Sequence, residues 1–178
     1  KPLAGIETLS FSSALTRYQH HEIEGEAIGT TFKNDSFESR FTAEHETFAG
    51  WHGVVGYHLQ QSDYKAIGEE AFTPPSETET IALGIVEEKH IDSLLLQLGA
   101  RVEHVNITAN NFAADLNQPD ADPEYLRVFS VDHESTPFSV SAGAVWDFTQ
   151  GYNAAISLTH SERTPAASEL LSFGPHIG

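Results

Sequence analysis

Leu94-Leu95-Leu96-Gln97-Leu98-Gly99-Ala100-Arg101-Val102-Glu103 is the stretch whose reading decides the fold. At period two, Leu94, Leu96, Leu98, Ala100 and Val102 fall on one face, and Gln97, Gly99, Arg101 and Glu103 on the other. That alternation predicts a β-strand with one apolar and one polar side. The pattern recurs outward in both directions. Downstream, Phe138, Val140, Ala142, Ala144, Trp146 and Phe148 oppose Ser139, Ser141, Gly143, Asp147 and Thr149, and Tyr152, Ala154, Ile156 and Leu158 oppose Asn153, Ser157, Thr159 and Ser161. Upstream, Trp51, Val55, Tyr57 and Leu59 oppose His52, Gly56, His58 and Gln60, with weaker alternation over residues 6–18, 35–45 and 80–88. Helical periodicity is confined to residues 166–171. The reading is an all-β, antiparallel chain of about seven main strands.

Two architectures share such alternation. A soluble sandwich turns its apolar face inward, whereas a transmembrane barrel turns it toward lipid and keeps polar side chains in the lumen. Aromatic residues near expected strand ends (Tyr18, Phe48, Trp51, Tyr57, Trp146, Phe148 and Tyr152) suit the interfacial girdles of a barrel. The connections discriminate better, because they alternate in length. Long polar loops are expected at 19–34, 62–79, 107–137 and from 161 onward, the third with a small extra strand at 126–131. Tight turns are expected at 47–50, 89–93 and 149–151. Outer-membrane barrels are built in this way, with short periplasmic turns and long outer loops. Seven strands do not close a single-chain bacterial barrel, and an open edge in lipid leaves backbone groups unpaired at several kcal/mol each. The chain is therefore expected to be a segment of a larger barrel.

Composition narrows the function. The 178 residues carry nine Lys+Arg against 26 Asp+Glu, a formal charge of −17, which repels phosphate backbones and argues against a nucleic-acid partner. The same charge attracts cations. With no cysteine there is no disulfide framework, thiolate metal site or cysteine nucleophile. No apolar run reaches the roughly 18 residues of a membrane-spanning helix, and no signal peptide is present. A start at Lys1-Pro2 and the lack of Met read as a processed product or internal fragment. No Gly-rich phosphate loop, Ser nucleophile elbow or HExxH motif appears, so an enzyme is not expected.

Grouping the long loops on one side collects His20, His21, His133 and His176 there, among Glu22, Glu24, Asp63, Glu69, Glu70, Asp115, Asp120, Asp122, Asp132, Glu134 and Glu162. Imidazole nitrogen with carboxylate oxygen suits a divalent transition metal such as zinc. The candidate ligands are His20, His21, Glu22, Asp132, His133, Glu134 and His176. Each piece also has a plain reading as a solvated loop or a polar strand end, and Asp120 and Asp122 read as loop-solvating residues between prolines. Arg101 and Glu103 read as an ion pair on the lumen wall. His45, His52, His58 and His90 carry no assignment.

The run Glu162-Arg163-Thr164-Pro165-Ala166-Ala167-Ser168-Glu169-Leu170-Leu171 resembles the R-x-P-s-x-x-E-L segment of TonB-dependent outer-membrane receptors. Its continuation Ser172-Phe173-Gly174-Pro175-His176 resembles the zinc-uptake branch, as do Tyr18-Gln19-His20-His21-Glu22-Ile23-Glu24, Gly68-Glu69-Glu70-Ala71-Phe72-Thr73-Pro74-Pro75 and Leu98-Gly99-Ala100-Arg101-Val102-Glu103-His104. The resemblance implies a 22-stranded barrel in the outer membrane of a Gram-negative bacterium. Residues 1–178 would be part of that barrel domain, with the plug domain and TonB box outside them. It implies energy supplied by TonB-ExbB-ExbD through the plug, contact with outer-membrane lipid, and no permanently bound cofactor. Zn²⁺ would be the transported ligand. A haem or ferric-siderophore receptor is the alternative within the family, and a soluble all-β binding or adhesion module the alternative outside it.

Overall fold

A single antiparallel sheet carries almost the whole chain, its strands neighbouring one another in chain order. The computed structural model describes residues 3–68, 71–114 and 127–172, with side chains described at 3–68, 71–110 and 129–172. The strands are β1 (Ile6–Glu24), β2 (Ala27–Phe48), β3 (Trp51–Gly68), β4 (Ser76–Ile91), β5 (Leu94–Ala114), β6 (Arg127–Ser135), β7 (Phe138–Thr149) and β8 (Tyr152–Ser161), followed by a five-residue helix α1 (Ala167–Leu171). β5 has two partners along one edge: its first half pairs with β7 (Leu94↔Trp146 to Val102↔Phe138) and its second with β6 (Val105↔Ser135 to Ala114↔Arg127). β6 and β7 are thus one strand line interrupted at Thr136-Pro137, where proline has no N–H for the ladder. The Pro137 carbonyl still accepts from Glu103 N at 3.0 Å, which holds the register across the break. Seven strand lines result, in agreement with the alternation.

The tight turns fall where expected. Phe48-Ala49-Gly50-Trp51 has φ of 52° and 81° at its two central residues, the double positive φ that matches strand twist in a two-residue hairpin. The long connections differ from expectation. Residues 19–34 are not a loop: β1 and β2 continue as a paired ladder up to Glu24↔Ala27, turning through Gly25 at φ 63°. β3 likewise runs to Gly68 and β4 starts at Ser76, while β5 and β6 stay paired up to Ala114↔Arg127. The extra strand is present, at Arg127–Ser135 rather than 126–131. At the β1 end the physical reason is that Gln19, His20, His21 and Glu22 are polar on both faces, so pairing continues without an apolar stripe to announce it; at the β5 end the stripe Val105, Ile107 and Ala109 switches to the opposite face. The residues 115–126, which include Asp115, Asp120 and Asp122, lie outside the described residues, as do Glu69, Glu70 and His176.

Strand register sorts the two faces. The face here called inner carries Arg40, His58, Gly56, Gly84, Arg101, Ser139 and Ser157; the outer carries Phe11, Phe41, Tyr57, Leu83, Val102 and Phe138 in one directly paired row. The outer apolar side chains are not packed. Phe11 is 70% exposed, Leu83 53% and Leu158 71%, while Leu98 is exposed and Leu94 and Leu96 are half-buried. Total accessible surface is 12581 Å², against about 8,500 Å² for a compact soluble chain of this mass. A soluble sandwich with the leucines of β5 inside is thereby ruled out. The apolar belt also slopes. The row that opens it on β1 at Leu9 runs through Ala43, Val55, Ile85, Ala100 and Val140 to His160, already above Ile156 and Leu158 on β8. Strands tilted to a common axis produce that slope.

Aromatic placement is mixed. Trp51, Trp146, Phe148 and Tyr152 gather at the turn end, with Trp146–Phe148 ring centroids at 5.6 Å and Lys89 Nζ 5.5 Å from the Trp51 ring. Tyr57 sits in mid-belt, and Tyr18 on the inner face, so neither belongs to a girdle.

Candidate functional site

Period two divides both candidate ligand triplets, because neighbouring residues of a strand face opposite ways. His20 and Glu22 lie on the inner face, opposite Phe32 and Thr30; His21 lies on the outer face, opposite Thr31. His133 is inner, opposite Ile107, while Asp132 and Glu134 are outer, opposite Thr108 and Asn106. The His20-His21-Glu22 and Asp132-His133-Glu134 stretches are therefore strand residues, not loop residues. β1 and β6 are separated by four strands, about 24 Å along the sheet at the usual spacing. The described candidates do not converge on one point.

Each of them has its own surroundings. The His20 ring stacks on Phe32, centroids 4.6 Å apart and 8° from parallel, with Tyr18 at 5.4 Å. His21 is engaged on the outer face, Nδ1 at 2.9 Å from Thr31 Oγ1 and Nε2 accepting from Gln19 Nε2 at 3.0 Å. Glu22 is half-buried, and its Oε2 is out of water with no hydrogen-bond partner among the described residues; the buried Ser76 Oγ, on the same inner face near the same end, also has none among them. Burial, and behind it the Glu22 carboxylate, pushes the Tyr64 phenol up; Tyr64 stands on β3 beyond the apolar belt.

Lower on the inner face, a line of polar and charged side chains joins β2, β3 and β5 across β4. Arg40 Nη2 donates to Glu38 Oε1 at 3.4 Å, His58 Nε2 donates to the same oxygen at 3.0 Å, and Arg101 Nη2 donates to His58 Nδ1 at 3.4 Å. Arg101 Nε closes the line on Glu103 Oε1 at 2.5 Å. His58 thus bridges the Glu38 carboxylate at Nε2 and the Arg101 guanidinium at Nδ1. The lumen-wall ion-pair network expected at Arg101 and Glu103 is present, and it takes in His58, Glu38 and Arg40. Beside it, Gly56, Gly84 and Gly99 leave a hollow of about 510 Å³. A polar, small-residue wall under an apolar exterior is the layout of a transport barrel.

The family model for the TonB dependent receptor-like β-barrel matches residues 5–177. The chain belongs to that family. TonB-dependent receptor barrels are outer-membrane transporters driven through TonB, and they are not enzymes. Among the described residues no helix is long and apolar enough to cross a membrane; a receptor barrel crosses with its strands. The hairpin extensions then face the exterior and the three short turns the periplasm.

The receptor's R-x-P-s-x-x-E-L segment folds as a closed clasp at the exterior end. Arg163 Nη1 and Nη2 donate to the two carboxylate oxygens of Glu169 at 2.6 and 2.8 Å. Ala166 N donates to Glu169 Oε2 at 2.8 Å, so one carboxylate binds the guanidinium and caps α1 together. Hydrogen bonding from Arg163 and Ala166 holds the Glu169 carboxyl down to about 2. Leu171 then packs on the inner face against Val105, Ile107 and Ala109, the one apolar cluster buried among the described residues. Ser135 and Thr164 hydroxyls are bonded at 2.5 Å, tying the clasp to the end of β6.

Proposed function

We propose that this barrel segment belongs to a receptor importing zinc. The single observation that supports the reading best is the inner-face pair His20 and Glu22 at the exterior end, with Glu22 Oε2 withdrawn from water and unpartnered among the described residues. A carboxylate oxygen in that state is costly unless a cation or donor reaches it. An imidazole two residues away on the same face supplies the nitrogen a transition metal favours. The charge of −17 raises local cation concentration before capture. His133, on the same face but distant, would serve a second contact during passage rather than the same coordination sphere. In this reading the belt contacts outer-membrane lipid, and TonB-ExbB-ExbD drives release through a plug that contributes further ligands.

One observation favours haem instead. His20 lies between Tyr18 and Phe32, and an imidazole flanked by aromatic rings suits an axial ligand with a flat apolar ring beside it. Uptake of radiolabelled zinc by cells carrying the full receptor, with and without excess haem, separates the two. Zinc import predicts that His20→Ala and Glu22→Gln each lower uptake at least about tenfold and that haem does not compete. Full zinc uptake in both variants, or competition by haem with loss of Glu22 tolerated, would overturn the zinc reading.

A further inference from the structure

At the opposite end of the sheet, Glu7, Glu44 and His52 bring three ligand atoms within 4.8 Å of one another, a grouping found nowhere else among the described residues. We infer that these three side chains form a second divalent transition-metal site, at the periplasmic rim of the inner face.

The arrangement differs from an ordinary ion pair because two carboxylates from different strands share one imidazole nitrogen. His52 Nε2 lies 3.3 Å from Glu44 Oε1 and 3.5 Å from Glu7 Oε2. Charge-assisted N–H···O bonds are about 2.7–2.9 Å, and His45, His58 and His160 each meet a single carboxylate, at 2.9, 3.0 and 3.2 Å. A tetrahedral zinc with bonds of about 2.0–2.1 Å holds neighbouring ligand atoms about 3.4 Å apart. The His52 separations match that value. A single ring N–H also points along one line, whereas two carboxylates here face the same nitrogen.

Backbone geometry supplies the third ligand. Register shifts between Ile6 and Thr8, so Glu7 is the extra residue of a β-bulge. Without the bulge it would alternate with Thr8, which opposes Glu44 on the inner face; the bulge re-aims its carboxylate to join Glu44. The charge balance also calls for a cation. Glu88 lies directly opposite His52 on β4, while Lys89 is on the other face, over Trp51 and bonded to Ala49 O. All three side chains are partly exposed, so an ion can enter and leave. Three protein ligands with a position open suit a labile station rather than a structural site. The site does not depend on which cargo the receptor imports.

Calorimetric titration of the full-length receptor in detergent with Zn²⁺, in excess Mg²⁺, tests the site. His52→Gln and the isosteric Glu44→Gln should each remove one zinc equivalent or weaken one site at least about tenfold. His45→Gln, whose ring is held by Glu87 and the Glu46 carbonyl, should leave the titration unchanged. Heat-modifiable migration on gels confirms that each variant barrel is folded. His20→Ala in the same titration separates this site from the exterior one: losing the exterior equivalent leaves the rim equivalent intact. Folded His52→Gln and Glu44→Gln receptors that bind zinc as the wild type does, or a wild-type receptor that binds none, would overturn the inference.

Discussion

The two halves of β5 obey opposite rules. Among Leu94, Leu96, Leu98, Ala100 and Val102 the side chains point outward, half-buried at Leu94 and Leu96 and exposed from Leu98 on; Val105, Ile107 and Ala109 point inward and are buried in the one apolar cluster among the described residues. The apolar parity switches across His104, within one unbroken strand. For a barrel that crosses the outer membrane with its strands, apolar side chains below the switch need no cover from protein. Above it the surroundings are water, and Val105, Ile107 and Ala109 must find cover, which α1 provides through Leu171. A change of solvent along a strand is thus recorded as a change of which face is apolar.

The strongest way to break this comparison is a charge in the lower half. Leu98→Arg in the full receptor should cost about 2–4 kcal/mol of stability in lipid, as for cationic side chains deep on a barrel exterior. Thr108→Arg, on the same face above the switch, should cost close to nothing. Equal costs in an unfolding titration would remove the boundary. A smaller effect is expected in the upper half. Ile107→Ala should cost about 2 kcal/mol, the low end for a buried aliphatic, because its cover is a single short helix. The loss should appear as faster hydrogen exchange over residues 167–171 with the belt unaffected; uniform loosening of the whole barrel would count against two regimes.

The smallest effect concerns the clasp. The Glu169 carboxyl is held down to about 2 in the fold, below its ordinary 4.5, so its contribution is fully present above about 4.5. That contribution fades as pH falls toward 2. Exchange protection of α1 should decline over this window in the wild type and stay flat in Glu169→Gln. Identical pH profiles would show that the Arg163–Glu169 pair is dispensable.

Much of this was legible in the sequence, and the reason is amplitude. Leu94 to Val102 against Gln97 to Glu103 differ strongly in polarity, so the strand, its faces and the seven strand lines were readable. The extensions were not, because Gln19, His20, His21 and Glu22 are polar on both faces and carry no period although they pair in full. Residues adjacent in sequence read as neighbouring loop ligands, whereas the strand sends His20 and His21 to opposite sides. The rim cluster was less readable still. Glu44 and His52 lie on one face, but Glu7 joins them through a bulge that no residue pattern marks. Resemblance covered the family and the spacing from Arg163 to Glu169; only the coordinates explain that spacing, as one carboxylate serving a guanidinium and a helix end.

The central claim is that β5 passes from lipid to water near His104, and spin labels placed singly along it test this most directly. In the full receptor reconstituted in bilayers, labels at Leu96, Leu98 and Val102 should collide readily with oxygen and poorly with a water-soluble nickel chelate. At Asn106 and Thr108 the preference should reverse. Labels at Leu98 and Val102 shielded from both reagents would mean that these side chains face protein, and the inside-out assignment of the belt would fail.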